Sequence, residues 1–340
     1  MTAGAPLAAA LAANDAEIAL AWVDRFGFEP PVLRFARLSP SLELIGMASI
    51  DDPAFTAYVD DVRPNVHLAV AALPTGWAIV GYVDGDVFLY AFDASGVPGV
   101  RTIIDRVAPT YWSNGHPTLA ARPNGGPLVV WHVMDAVRVA VIADDGRSAT
   151  APLNLPRGDG YGSRATAAFA AGAFHVMITS ETPTNPWQLE MSRIRADGTL
   201  ASTFDALPGV IAPQARLVSG ADDLRIVYGD GQRSVWSKVG PTGELLSSLV
   251  VIGSGLDFGG DARPVGFGAD TVALLVGVTP AKAIGITRVG ADGEIVAPAY
   301  KIASGPDVYA AWYDIVRRGP DAVVVWLGFS GGLRIARVAP

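Results

Sequence analysis

An all-β chain built from seven like units is what this sequence predicts, and three observations predict it. First, a β-rich stretch ending in an aromatic or bulky apolar residue recurs. Trp22 closes AEIALAW, Tyr82 GWAIVGY, Trp131 GGPLVVW, Ile178 AFHVMI, Tyr228 DDLRIVY, Val276 TVALLV and Trp326 DAVVVW, in steps of 60, 49, 47, 50, 48 and 50 residues. Second, apolar residues alternate or run in short blocks, the strand signature, and no helical stripe of usable length is present. Third, tight-turn pairs stand at equivalent places: Asp145-Gly146, Asp197-Gly198, Thr242-Gly243 and Asp292-Gly293, with Ser95-Gly96 and Ser39-Pro40 in two other units.

Each unit has one grammar. A small apolar strand comes first, as in PTLAARP (Pro117–Pro123); then a turn, the strand that ends on the bulky residue, and a third strand such as VRVAVIA (Val137–Ala143). The tight turn and a fourth strand complete it. Asp-Gly at a two-residue turn supplies the positive φ that a type I′ hairpin needs, so these aspartates are read as turn formers rather than metal ligands. Units of four short strands near 50 residues are the blades of a β-propeller. Ala- and Gly-rich first strands fit, because innermost strands crowd a narrow axis, and a β-sandwich gives no reason for sevenfold repetition. The expected architecture is a single domain over 1–340, with blades at about 1–47, 64–104, 114–154, 163–204, 212–251, 261–302 and 307–340. The long first step places an insertion of about ten residues between Trp22 and Tyr82, over Ala48 to Pro64.

Ring closure is the irregular part. After LRIARVA no fourth strand follows, so either Met1 to Pro6 supplies it or the last blade has three strands. Pro6 cannot donate to a ladder, which favours three strands and a ring held by apolar packing between last and first blades. Such burial contributes about 25 cal/mol per Å².

Composition excludes several classes. The chain has 340 residues, 50% hydrophobic and 17% charged, and no Cys, which removes disulfides, thiolate nucleophiles and Cys-ligated metal. A net charge of −8 with no dominant basic surface argues against nucleic acid. Apolar runs break well before the roughly 20 residues that a membrane helix needs. The Ala-rich opening, Met1 to Ala13, has the look of a signal-peptide core without a basic start and is read as folded protein. A periplasmic or secreted location follows only if a signal has been removed, and oligomeric state is not encoded in any visible pattern.

The repeat resembles the seven-bladed propellers of diverse bacterial type and, distantly, the gluconolactonase-like lactonases. It has no Gly-His…Trp-Asp pair, no double-Gly kelch pattern and no Asp-box. The resemblance implies calcium-assisted hydrolysis of a small polar ester or lactone at the channel mouth. Propellers of this shape also include lectins and protein-binding scaffolds, which implies as alternative a non-catalytic carbohydrate- or protein-binding module. Aligned on the bulky residues, the starts of the inner strands offer His67, His116, Arg164 and Asp261 as catalytic candidates. Imidazole serves as general base, guanidinium steadies an oxyanion, and carboxylate orients an imidazole or binds a divalent cation such as Ca²⁺. Gln214, Arg263, Asp307 and Tyr309 join them as ligand-binding candidates, with His132 on a neighbouring loop and Tyr111 and Trp112 as an aromatic platform for a sugar ring. His175 lies within a strand and reads as structural. Gly328-Phe329-Ser330-Gly331-Gly332 matches a nucleophile elbow, but a strand rather than a helix follows it.

Overall fold

A computed structural model describes residues 5–25, 31–52, 66–83, 85–107, 117–133, 136–155, 161–181, 188–206, 215–220, 223–229, 233–254, 262–276, 283–305, 308–328 and 332–340. At some strand ends, Arg164 and Tyr309 among them, only the backbone is described. The strands form seven antiparallel sheets, six of four strands and one of three, and each sheet runs in sequence order from its innermost strand outward. The inner strands are Ala5–Ala13, His67–Leu73, Thr118–Arg122, Tyr161–Ala170, Arg216–Ser219, Ala262–Phe267 and Tyr309–Arg318. Each lies against the next, and the seventh lies against the first. This is a seven-bladed β-propeller. Inner strands begin, and second strands end, at one face, called upper below.

The burial pattern explains why the sequence reads as apolar runs rather than alternation. Second strands are sandwiched between the neighbouring blades, so Gly76–Val83 and Gly125–Val133 are buried at every residue. Fourth strands have one face on solvent, and Leu44–Ile50 alternates toward exposure. Apolar clusters span each pair of neighbours. One joins Tyr82, Val87 and Leu89 of blade 2 to Val129, Trp131 and Val133 of blade 3.

The five tight turns with glycine carry the expected positive φ, but not as two-residue type I′ turns. At Gly146 the amide bonds back to Ala143 O, and Ala143 N reaches Ser148 O. Around Asp197-Gly198 the pattern tightens to a three-residue loop: Gly198 N to Arg195 O, and Arg195 N to Thr199 O. Only the glycine is left-handed, with φ 71° at Gly146 and 88° at Gly198, so the aspartate sits in the preceding type I turn. Asp197 earns its place by accepting from Thr199 N, 2.9 Å. Where blade 1 lacks the glycine, Leu42 takes the left-handed position, φ 67°. The two-residue geometry with both residues left-handed occurs instead at Ala171-Gly172, between the first and second strands of blade 4.

Blade 7 consists of Tyr309–Arg318, Asp321–Leu327 and Leu333–Val338. Ala5 and Pro6 pair with Arg25 and Asp24 inside blade 1. No described residue from the start of the chain joins blade 7. The seam between blades 7 and 1 is side-chain packing of Leu11, Ile18, Leu20 and Leu38 against Val323 and Val325, with Trp22, Leu333 and Ile335 partly buried beside them.

Candidate functional site

His67 opens the inner strand of blade 2 at the upper face, opposite Tyr82 in the ladder. It is 8% exposed. Burial pushes its imidazole down to about 4, so the ring is neutral at neutral pH. In blade 3 the ladder slips by one residue between Gly125 and Leu128, and Thr118 faces Val130. That slip sets Pro117, rather than His116, in line with Trp131. His132, buried near the end of the second strand of blade 3, stands opposite Val137. Arg164 stands opposite Thr179 in the ladder of blade 4. Tyr309 pairs with Leu327 at the top of blade 7. His116, Asp261, Tyr111, Trp112, Gln214 and Asp307 lie outside the described residues. His175 is fully buried, with Nε2 3.3 Å from Ala170 O, as a structural histidine would be.

The polar group that the structure does bring together lies on the inner strands. Thr118, Thr166, Arg216 and Asp314 share a rung with Ala10, opposite Val130, Met177, Val227, Val325 and Ala21, residues that pack on the following blade. Thr166 Oγ1 accepts from Leu217 N of the next inner strand, 3.3 Å, and Asp314 Oδ2 accepts from Leu11 N of the next inner strand, 2.9 Å. On its other side Asp314 Oδ1 is 3.6 Å from Arg263 Nη1 of blade 6 and accepts from Ile315 N at 3.0 Å. A side chain that touches inner strands on both flanks stands at the inner edge of its blade. Arg263 also covers the Tyr313 ring, 5.1 Å from guanidinium carbon to centroid. Burial raises the Asp314 carboxyl above the usual range, opposed by the charges of Arg263 and Arg216 and by its two backbone donors. Its side chain is nonetheless 22% exposed.

Sequence reasoning found Arg263 but not Asp314, because it searched strand starts and took repeat seven from Asp307 and Tyr309. A bulge between Tyr309 and Tyr313 displaces that strand. Counting back from the bulky residues would have found the rung: Thr166, Arg216 and Asp314 each stand the same distance before Ile178, Tyr228 and Trp326.

The described side chains do not fit a divalent cation. Among the described residues no group of three or more His, Cys, Asp or Glu is placed to hold one, and Asp314 already faces two guanidiniums. What this inner ring can do is bind a polar group that carries or develops negative charge, since among its described residues Arg263 and Arg216 outnumber Asp314.

No family model matches the chain, and no curated protein does. Solved structures do match. A prolyl endopeptidase is similar over 99% of this chain at 17% identity and TM-score 0.60; the chain spans 48% of that protein, about half its length. A PL25 ulvan lyase is similar over 99% of this chain and 94% of its own, at 10% identity and TM-score 0.62. The propeller domain of the trilobed protease of Pyrococcus furiosus, described as having an open velcro topology, matches over 98% and 95% at 8% identity and TM-score 0.58. At these identities the likeness is one of fold.

Proposed function

We propose that this propeller takes a small polar ligand of carbohydrate type at its upper channel mouth and hydrolyses an ester or lactone in it. The observation that carries the reading is the Asp314–Arg263 pair, with Arg216 on the same inner ring, partly exposed among Ala, Leu and Val. The ulvan lyase is a propeller that acts on a polysaccharide, which lends the ligand class some support although fold alone does not transmit function.

In this reading neutral His67 accepts a proton from water as the water oxygen bonds to the carbonyl carbon and the carbonyl electron pair moves to oxygen. Arg164 is assigned the oxyanion and Asp261 the orientation of His116, on sequence position alone. Collapse breaks the ester C–O bond, the leaving oxygen takes the proton from the imidazolium, and the product acid gives its own proton to solvent, leaving a carboxylate that meets Arg263 and Arg216. No step is routed through a metal. A second reading, binding without turnover, is favoured by one observation: an imidazole held at about 4 is a weak base.

The test is turnover of a panel of sugar lactones and esters, with and without Ca²⁺, by the wild type and by His67→Gln, with calorimetric titration of the same compounds. Turnover by the wild type that His67→Gln abolishes supports hydrolysis. Saturable binding without turnover leaves the binding reading. Neither binding nor turnover overturns both.

A further inference from the structure

Blade 7 has three strands among the described residues, and the neighbouring seams show what a fourth would meet. In blade 3, Trp131, Arg138 and Asn154 stand side by side across the second, third and fourth strands. Trp131 Nε1 and Arg138 Nη1 both donate to Asp105 Oδ2, at 3.0 and 2.8 Å, and Arg138 Nε donates to Asn154 Oδ1. Asp105 belongs to the fourth strand of the preceding blade, Thr102–Arg106, opposite Val87. The seam between blades 1 and 2 has a related contact. Asp52, just past the fourth strand of blade 1, accepts from Tyr90 Oη at 2.9 Å and lies 3.1 Å from Arg101 Nε.

Blade 1 repeats the receiving half of this arrangement. Trp22, Arg34 and Ser49 are consecutive across its ladder, and Arg34 Nη1 donates to Ser49 Oγ at 2.7 Å as Arg138 donates to Asn154. Asp24 of the same blade takes Arg34 Nε at 2.7 Å. Trp22 packs against the same seam cluster as Leu333 and Ile335 of blade 7 and is partly exposed, whereas Trp131 is fully buried. Among the described residues of blade 7 no strand carries the counterpart of Asp105, whose place is opposite Leu333.

We propose that the outer edge of Leu333–Val338 is a docking site for an extended polypeptide segment of a partner, which adds as the fourth strand and carries a carboxylate opposite Leu333 that reaches Trp22 Nε1 and Arg34. Main-chain ladder bonds would give the affinity and the carboxylate the register. The edge is basic in an otherwise acidic chain: Arg334 and Arg337 are exposed on it, Arg337 paired with Asp321. That charge also argues against a second copy as occupant. Pairing the strand with itself antiparallel about its centre sets Arg334 opposite Arg337 twice, and like charges directly opposite destabilise a ladder.

The probe is a synthetic nonapeptide with the sequence of residues 99–107 and threonine in place of its two arginines, added to the full chain. Tryptophan emission reads binding, and Trp22→Phe assigns the signal. The expected result is saturable binding with a Trp22 response, about tenfold weaker when the peptide aspartate is asparagine, as loss of one charge-assisted contact implies. Arg34→Gln should weaken the aspartate peptide about as much and the asparagine peptide hardly at all. No saturable binding by about 1 mM peptide, equal affinity of the two peptides, or a Trp22→Phe protein with the full signal each overturns the proposal. Self-association of the chain that the peptide competes away assigns the edge to a second copy and overturns it as well.

Discussion

Acidification should cost this protein stability through one imidazole. His67 ordinarily titrates at 6.5 and is held at about 4 in the fold by burial. Above pH 6.5 neither the folded nor the unfolded chain protonates it. Between 6.5 and about 4 the unfolded chain takes up the proton and the folded chain does not, so stability falls with falling pH. Below about 4 both are protonated and the loss stops growing. The interval converts to at most about 3 kcal/mol at 1.36 kcal/mol per unit, with little solvent discount because the ring is 8% exposed. Carboxylates titrate in the same range, so the measurement must be a difference. Urea midpoints of the wild type and of His67→Gln, taken from about pH 7.5 to about pH 4, should converge as pH falls, since the variant lacks this proton. Parallel curves over that interval would show that His67 is solvated in the fold, and the neutral-base role assigned to it would go with them.

Asp105→Ala removes the acceptor of the fully buried Trp131 indole and of Arg138, and should cost about 2–3 kcal/mol in denaturant unfolding, because a buried donor is left unmet. A loss under about 0.5 kcal/mol would mean that this seam does not depend on the carboxylate. Gly146→Ala puts a Cβ 2.5 Å from Leu73 Cδ1 and 2.9 Å from Ala91 Cβ at a φ of 71°. It should destabilise by about 2 kcal/mol, read by calorimetry, with left-handed strain supplying at least half. Asp314→Asn should gain stability relative to the wild type as pH rises above 3.8, because a carboxyl raised by burial favours the fold most when protonated and loses that contribution as it ionises. Denaturation at low and neutral pH checks the sign.

Much of the architecture was legible because a propeller repeats its physics. A second strand buried on both faces must be apolar throughout, and a bulky residue ending it recurs wherever blades pack alike, so Trp22 through Trp326 give the number of blades. The three-stranded last blade was legible in part, from Pro6, which cannot donate to a ladder. Turn type was not. Asp-Gly suits several hairpins, and what decides among them is whether Ala143 pairs with Ser148 or with a nearer residue, a register that composition does not record. The site was legible only in part for the same reason. A one-residue slip at Gly125 or a bulge before Tyr313 moves a side chain to another rung without changing its spelling. Asp314 matters because Leu11, some three hundred positions away in the chain, donates to it, and Asp105 because Trp131 does.

The joint between the last and first blades has a thermal consequence. Beside the bond from Leu11 to Asp314 it is held by aliphatic contact, as among Ile18, Leu20, Val323 and Val325. Contact of that kind weakens on cooling, and the boundary between blades 2 and 3 adds to its own apolar cluster the bonds from Trp131 and Arg138 to Asp105. Chilled protein should therefore expose Trp22 to quenchers before Trp131.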